Sequence, residues 1–157
     1  LDFTRQQTPF LHIEEALHGA PSLAYIKNMI ADIREKDGAS HILCVIDSID
    51  DFIFQSKNNY EGLDRLELAK KLALSLNDLA KEEKVTFLLT LQDNADKSIE
   101  DIFTFAAENM LEIAWDKEGR TNSAGFKKSR ITILKNRAGS LSTLFLNFQG
   151  DFQDFTD

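Results

Sequence analysis

The chain has 157 residues, of which 43% are hydrophobic and 28% charged, with a net charge of −8 and one cysteine. These values are typical of one globular domain with a substantial core, and no apolar run approaches the roughly 20 residues of a membrane-spanning helix. The acidic balance argues against nucleic-acid binding through the whole surface. The lone thiol, Cys44, excludes an internal disulfide and favours a reducing compartment, so we expect a soluble, cytoplasmic protein.

Two strands and a helix are predicted first. Phe10–Ile13 is a short apolar run, in which His12 is expected to pack rather than bind a metal. A helix beginning near Pro21 and ending at Gly38 is predicted from apolar residues at helical spacing, namely Leu23, Ile26, Ile30 and Ile33. The apolar run Ile42–Asp47 predicts a strand buried on both faces. Strand, helix and strand together indicate a right-handed parallel crossover.

Asp47 ends the second strand, where a parallel sheet opens to ligands. A carboxylate in this place can hold the magnesium ion of a bound nucleotide, since hard cations prefer oxygen ligands. The alternative is a carboxylate that caps a turn or a helix. Asp50 and Asp51 follow closely and are expected to begin a turn or helix rather than assist a metal.

A second crossover repeats the first. Residues 48–62 are predicted to form a loop at the carboxyl edge of the sheet. A long helix, Leu63–Lys81, is predicted from one apolar face, made of Leu66, Ala69, Leu72, Ala73, Leu76, Leu79 and Ala80. The next strand, Val85–Leu91, delivers Gln92 to the same edge as Asp47.

The last part of the chain predicts a helix over Ile99–Asn109, a strand over Met110–Trp115 and a β-hairpin. The hairpin strands are Ile131–Arg137 and Leu141–Phe148. Lys135 and Arg137 are two residues apart, so they are predicted to share a face and form a phosphate clamp. Charges that protect an edge strand are an equal alternative. The aromatic side chains of the tail are expected to pack onto the sheet, and the alternative is that they stack on nucleic-acid bases. These residues are Phe148, Phe152 and Phe155.

The charge is unevenly distributed. Lys117–Arg137 holds seven cations and one anion, a local charge of +6 against −14 for the remainder. A phosphate or a nucleic-acid backbone is therefore a plausible partner of this segment. The alternative is a solvated basic loop, which we favour for Lys127 and Lys128, and we expect residues 117–129 to be mobile.

Part of the same segment superficially resembles a phosphate-binding loop. That motif needs four residues between its glycines, whereas Gly119 and Gly125 are separated by five, and Phe126 interrupts the ending. A phosphate loop also begins a helix, whereas the residues from Arg130 onward alternate like a strand. The sequence therefore contains no phosphate cradle.

The order of these parts resembles the carboxyl-terminal RecA-like ATPase domain of DnaB-type replicative helicases. The residues that carry the resemblance are the strand ending at Asp47, the strand ending Thr90-Leu-Gln92, and the hairpin Ile133-Leu-Lys-Asn-Arg-Ala-Gly with its Phe-x-Gly-x-Phe-x-x-Phe ending. RadA-like repair ATPases share Val45-Ile-Asp-Ser-Ile49 and Lys135-Asn-Arg-Ala-Gly139. The resemblance implies one α/β domain over residues 1–157, with a mostly parallel RecA-like sheet flanked by helices and a C-terminal β-hairpin.

The resemblance also implies roles. Asp47 resembles the Walker B acid that holds magnesium, and Gln92 resembles the sensor of the γ-phosphate. Lys135 and Arg137 resemble the pair that reaches the nucleotide of a neighbouring subunit. A ring or filament on single-stranded DNA is thereby implied, with the loop after Gln92 facing the DNA. The resemblance identifies no DNA-contacting side chain.

Two parts of the family pattern have no counterpart here: the phosphate loop and the glutamate that activates water. We therefore expect this polypeptide alone not to hydrolyse ATP, and expect ATP and Mg²⁺ to bind only the complete domain. The absent initiator methionine favours a C-terminal piece of a longer ATPase. We thus predict part of an ATP-dependent DNA helicase; the alternatives are a RadA-like repair ATPase and a degenerate, non-catalytic binding module.

Overall fold

The computed structural model describes residues 11–14, 22–92, 96–115, 127–149 and 154–156. Packing divides the chain into two compact units, Leu1–Phe103 and Thr104–Asp157. The expectation of a single domain over residues 1–157 stays a prediction. None of the helices in the described ranges combines the length and the apolar composition that a bilayer crossing requires.

The first unit contains helices and a parallel pair of strands. Its elements are α1 (Leu23–Asp37), β1 (Leu43–Ile46), α2 (Ile49–Ser56), a 3₁₀ turn (Lys57–Asn59), α3 (Arg65–Glu83), β2 (Thr86–Leu89) and most of α4 (Lys97–Ala106). The strands pair in parallel, from Leu43 opposite Thr86 to Ile46 opposite Leu89. The crossover through α3 is therefore confirmed.

Helix α3 begins at a capping box. The Asp64 carboxylate accepts a hydrogen bond from the Glu67 amide at 2.8 Å, and the Glu67 side chain accepts one from the Asp64 amide at 3.1 Å. Its buried face consists of Leu68, Ala69, Leu72, Ala73, Leu76 and Leu79. The predicted apolar stripe differs at its two ends: Leu68 is buried in place of the exposed Leu66, and Ala80 is only half-buried.

Ion pairs join α1 to the end of α3. Arg34 lies 2.9 Å from a carboxylate oxygen of Glu83 and also donates to the Glu83 carbonyl. Lys27 lies 3.3 Å from Glu82 and 3.3 Å from Glu83. These contacts fix the C-terminal end of α3 against α1.

The parallel strands are not buried on both faces, contrary to the prediction. Leu43, Val45 and Leu88 share one face and are 60%, 57% and 50% exposed. Cys44 points to the other face, where burial raises the pKa of its thiol. The difference arises because nothing in the described part of the chain covers the first face.

Two further predictions are wrong. Leu11, His12 and Ile13 belong to no strand. His12 instead contacts the Asp37 carboxylate at 3.0 Å, so this run is held by a side-chain contact rather than by a strand partner. Phe10 lies outside the described residues.

The segment after Asp47 is not a loop, because α2 forms there. Its helix is explained by buried residues at helical spacing, namely Ile49, Phe52, Ile53 and Ser56.

The second unit is an antiparallel sheet in the order β3-β4-β5-β6. Its strands are β3 (Asn109–Trp115), β4 (Lys127–Asn136), β5 (Thr143–Gln149) and β6 (Asp154–Thr156). The predicted hairpin is confirmed as β4 and β5, which pair from Lys127 opposite Phe148 to Thr132 opposite Thr143. The helix expected over Ile99–Asn109 ends earlier, at Ala106.

Part of the expected basic loop is a strand instead. Lys127, Lys128 and Ser129 lie in β4, because they pair with β5, while residues 117–126 lie outside the described residues. In the aromatic tail, the Phe148 ring lies 5.4 Å from that of Trp115. Phe152 and the side chain of Phe155 also lie outside the described residues.

Candidate functional site

The carboxyl ends of β1 and β2 bring Asp47 and Thr90 together. The Thr90 hydroxyl donates a hydrogen bond to Asp47 Oδ1 at 2.5 Å. Backbone bonds hold the same edge: the Thr90 amide donates to the Ile46 carbonyl at 3.1 Å, and the Ile49 amide donates to the Thr90 carbonyl at 2.9 Å. The parallel register therefore fixes the Asp47 carboxylate at the sheet edge.

Gln92 reaches the same edge two residues later. The Gln92 backbone N–H donates a hydrogen bond to Asp50 Oδ2 at 3.5 Å, and Asp50 Oδ1 accepts one from the Arg65 guanidinium at 3.1 Å. The Gln92 residue itself is exposed. The structure thus brings Asp47 and Gln92 to one edge, as the sequence predicts.

Asp50 and Asp51 begin helix α2, as expected. Ser48 is the N-cap: its hydroxyl accepts from the Asp51 amide at 3.4 Å and donates to Asp51 Oδ2 at 2.6 Å. Both carboxylates lie in the first turn, where their negative charge interacts favourably with the positive end of the helix dipole. Ion pairing of Asp50 and capping contacts of Asp51 already account for these side chains.

Asp47 is the remaining carboxylate at the edge. Within the described ranges its Oδ2 atom has no hydrogen-bond partner, and no three His, Cys, Asp or Glu side chains form a metal cluster. Mg²⁺ commonly uses only one or two protein carboxylates, completing its shell with phosphates and water. The exposed Asp47 carboxylate and the neighbouring Thr90 hydroxyl offer only oxygen atoms as metal ligands, and so they fit Mg²⁺.

Sequence reasoning assigned no role to Thr90. A signal was present, because Thr90 follows an apolar strand and precedes Gln92 by two residues. The sequence could not supply the register of β1 against β2, and a shift of one residue in that register would move the Thr90 hydroxyl away from Asp47.

Lys135, in the second unit, binds the end of α4. Its Nζ donates to the Thr104 carbonyl at 2.7 Å and to the Phe105 carbonyl at 3.1 Å. The last carbonyls of a helix lack partners within the helix, and a cation also favours the negative end of its dipole. Lys135 therefore stabilises the C-terminal end of α4.

Arg137 binds the residues that join α4 to β3. Its guanidinium donates to Glu108 Oε1 at 2.8 Å, and its amide donates to the Glu108 carbonyl at 3.2 Å. Strand β4 ends at Asn136, so Arg137 lies beyond the strand. The prediction that Lys135 and Arg137 share one face of this strand is therefore wrong. The two cations nevertheless reach one short segment, Thr104–Glu108.

Comparisons with known proteins point to one fold. No protein-family model and no curated protein sequence matches the chain. A solved structure described as an ATPase domain matches 88% of this chain with a TM-score of 0.68 and 17% identity. A second solved structure, which describes a DnaB-like replicative helicase and its interactions with primase, matches 87% of this chain with a TM-score of 0.66 and 16% identity.

The chain has the RecA-like α/β fold of these two solved structures. The predicted fold class is thereby confirmed. The match spans 52% of the first solved chain and 36% of the second, so this chain covers only about half and about a third of their lengths. Asp47 and Gln92 belong to the first unit of this RecA-like chain, and Lys135 and Arg137 belong to the second.

Proposed function

We propose that this chain is the C-terminal part of an ATP-dependent replicative DNA helicase of the DnaB type. Such a protein couples ATP hydrolysis to movement along single-stranded DNA in the cytoplasm. The observation that carries the proposal is the Asp47–Thr90 hydrogen bond at the edge of a parallel strand pair, within a RecA-like fold. This edge is where open α/β sheets bind ligands.

In this proposal Asp47 holds Mg²⁺ through Oδ2, and the Thr90 hydroxyl orients the carboxylate by holding Oδ1. When bound, Mg²⁺ neutralises negative charge on the nucleotide phosphates. Gln92 contacts the γ-phosphate, and its neutral amide can do so without adding charge. The backbone bond from Gln92 to Asp50 keeps it close to Asp47.

Lys135 and Arg137 act on the nucleotide of a neighbouring subunit in a ring or filament. Both must first leave their present partners in Thr104–Glu108. An exposed ion pair such as Arg137–Glu108 contributes only about 0–1 kcal/mol, so a nucleotide phosphate can compete for this guanidinium. Lys135 has two carbonyl partners and is more firmly held.

The exposed face of β1 and β2 supports a longer protein. Leu43, Val45 and Leu88 form an apolar face on a parallel pair, and parallel sheets are normally covered on both faces. The solved relatives in fold are also longer than the matched part. We propose that the phosphate loop and the water-activating glutamate lie in that further length, so ATP binds only the complete domain.

The test is ATP hydrolysis by the full-length protein in the presence of single-stranded DNA. Asp47→Asn is expected to lower the rate on the order of a hundredfold, because a neutral amide binds Mg²⁺ poorly. Asp78→Asn, on the exposed face of α3, is the matched control and should leave the rate unchanged. An equal rate for Asp47→Asn and wild type would contradict the proposal.

A non-catalytic binding module is the second candidate, because Lys135 and Arg137 both have partners within the chain. If Lys135→Ala and Arg137→Ala change neither hydrolysis nor assembly of the full-length protein, the proposed role in trans is wrong. A RadA-like repair ATPase would keep these effects but act on repair substrates, and unwinding assays on forked DNA separate the two.

A further inference from the structure

The antiparallel sheet of the second unit has two chemically different faces. Side chains alternate along β-strands, and directly paired residues share a face. One face is apolar, formed by Leu111, Ile113, Ile131, Ile133 and Leu144. The other, here called the basic face, includes Glu112, Ala114, Lys128, Arg130, Thr132, Thr143, Phe145 and Asn147.

Phe145 is an exposed aromatic ring on this polar face. It is 54% exposed and lies directly opposite Arg130 in the β4–β5 register. Lys128 Nζ lies 5.2 Å from the centre of the ring. Packing within the sheet does not require an aromatic residue at a position surrounded by polar and charged side chains, so the ring is available to a ligand.

The charge around the ring is positive. The basic face carries two cations, Lys128 and Arg130, and one anion, Glu112. Arg130 lies 3.1 Å from the half-exposed carboxylate of Glu112, whereas Lys128 has no ion pair within the described ranges. Lys128 contacts the Phe145 ring and can meet a phosphate without breaking an ion pair, whereas Arg130 can do so when it leaves Glu112.

We propose that the basic face binds single-stranded DNA, with one base stacked on Phe145 and the flanking phosphates held by Lys128 and Arg130. Proteins that bind single strands without sequence preference combine aromatic platforms with cations along the backbone. A duplex is excluded as the preferred ligand, because its bases are already stacked on each other. The choice of DNA rests on the proposed function; the site itself needs neither nucleotide nor ATP hydrolysis.

The test is binding of a labelled oligothymidylate to the full-length protein, without nucleotide, measured by fluorescence anisotropy. Phe145→Leu is expected to weaken binding at least about fivefold, because stacking on the ring is lost. Lys128→Gln should weaken it and reduce the slope of log affinity against log salt by about 0.7. Phe54→Leu and Lys70→Gln, two exposed residues of the first unit, are the matched controls and should bind as wild type.

Two further measurements separate stacking from simple charge. With an abasic oligonucleotide, Phe145→Leu should lose its effect while Lys128→Gln keeps it. Glu112→Gln should strengthen binding about twofold to fivefold, since it releases Arg130 from an exposed ion pair.

The inference is overturned if Phe145→Leu and Lys128→Gln both bind as wild type, or if Phe145→Leu weakens abasic and normal oligonucleotides equally. Tighter binding of the matching RNA would overturn the choice of DNA. ATP hydrolysis by the Asp47→Asn variant is measured separately, so failure of this site and failure of the proposed ATPase give different results.

Discussion

The Thr90 hydroxyl and the Asp47 carboxylate are joined by a hydrogen bond of 2.5 Å across two strands that are 43 residues apart in sequence. A hydrogen bond to an ionised carboxylate is stronger than one between neutral groups. It holds one oxygen of Asp47, whereas the other has no hydrogen-bond partner among the residues that the structure describes. Thr90 is therefore a positioning residue in the proposed magnesium site.

Replacing Thr90 by valine keeps the shape of the side chain and removes only the hydroxyl. We expect the full-length protein to need more Mg²⁺ for half-maximal ATP hydrolysis, with a loss of affinity for the ion of about tenfold, as for other groups that orient a metal ligand. Thr86→Val, at an exposed position of β2, the strand that precedes Thr90, is the control. An unchanged Mg²⁺ requirement in Thr90→Val would show that Asp47 needs no such orientation.

Lys135 and Arg137 should differ in their effect on stability. Lys135→Ala removes two bonds to the end of α4 and is expected to lower the free energy of unfolding by about 1 kcal/mol. Arg137→Ala breaks an exposed ion pair and should cost about 0.5 kcal/mol or less. Urea denaturation measures both, and a reversed order would mean that Arg137, not Lys135, fixes the α4–β3 junction.

Helix α3 provides a matched pair of leucines for testing the core. Leu72 is 0% exposed and Leu74 is 59% exposed on the same helix. Leu72→Ala should lower the free energy of unfolding by about 2–5 kcal/mol, because it leaves a cavity. Leu74→Ala should change it by about 0.5 kcal/mol or less. Comparable losses for the two variants would indicate that a segment outside the described residues covers Leu74.

Cys44 should react slowly with alkylating reagents. Burial raises the pKa of its thiol, so the reactive thiolate is less populated than in an exposed cysteine at the same pH. Because the folded state keeps the proton more tightly, the free energy of unfolding should fall as the pH rises through and above the ordinary thiol range. Cys44→Ala should remove this pH dependence. Alkylation of the native protein at the rate of a free thiol would contradict the expectation.

Much of the first unit could be predicted from local patterns. Helical spacing located α1 and α3, and apolar runs located β1 and β2, because amphipathic helices and buried strands have distinct periods. The same reasoning failed for α2, whose Ile49, Phe52 and Ile53 follow a strand so closely that they were assigned to a loop. It also failed at Leu11–Ile13, since an apolar run forms a strand only where a partner is available.

Sequence alone determined which side chains come at the ends of strands: Asp47 after β1, Gln92 beyond β2, and the pair Lys135 and Arg137 at the hairpin. Only the tertiary structure decided what these side chains contact. Thr90 meets Asp47, Lys135 binds α4 and Arg137 binds Glu108, because such contacts depend on strand register and on elements far apart in the chain. Local propensity fixes an element, whereas its partners are fixed by packing of the whole.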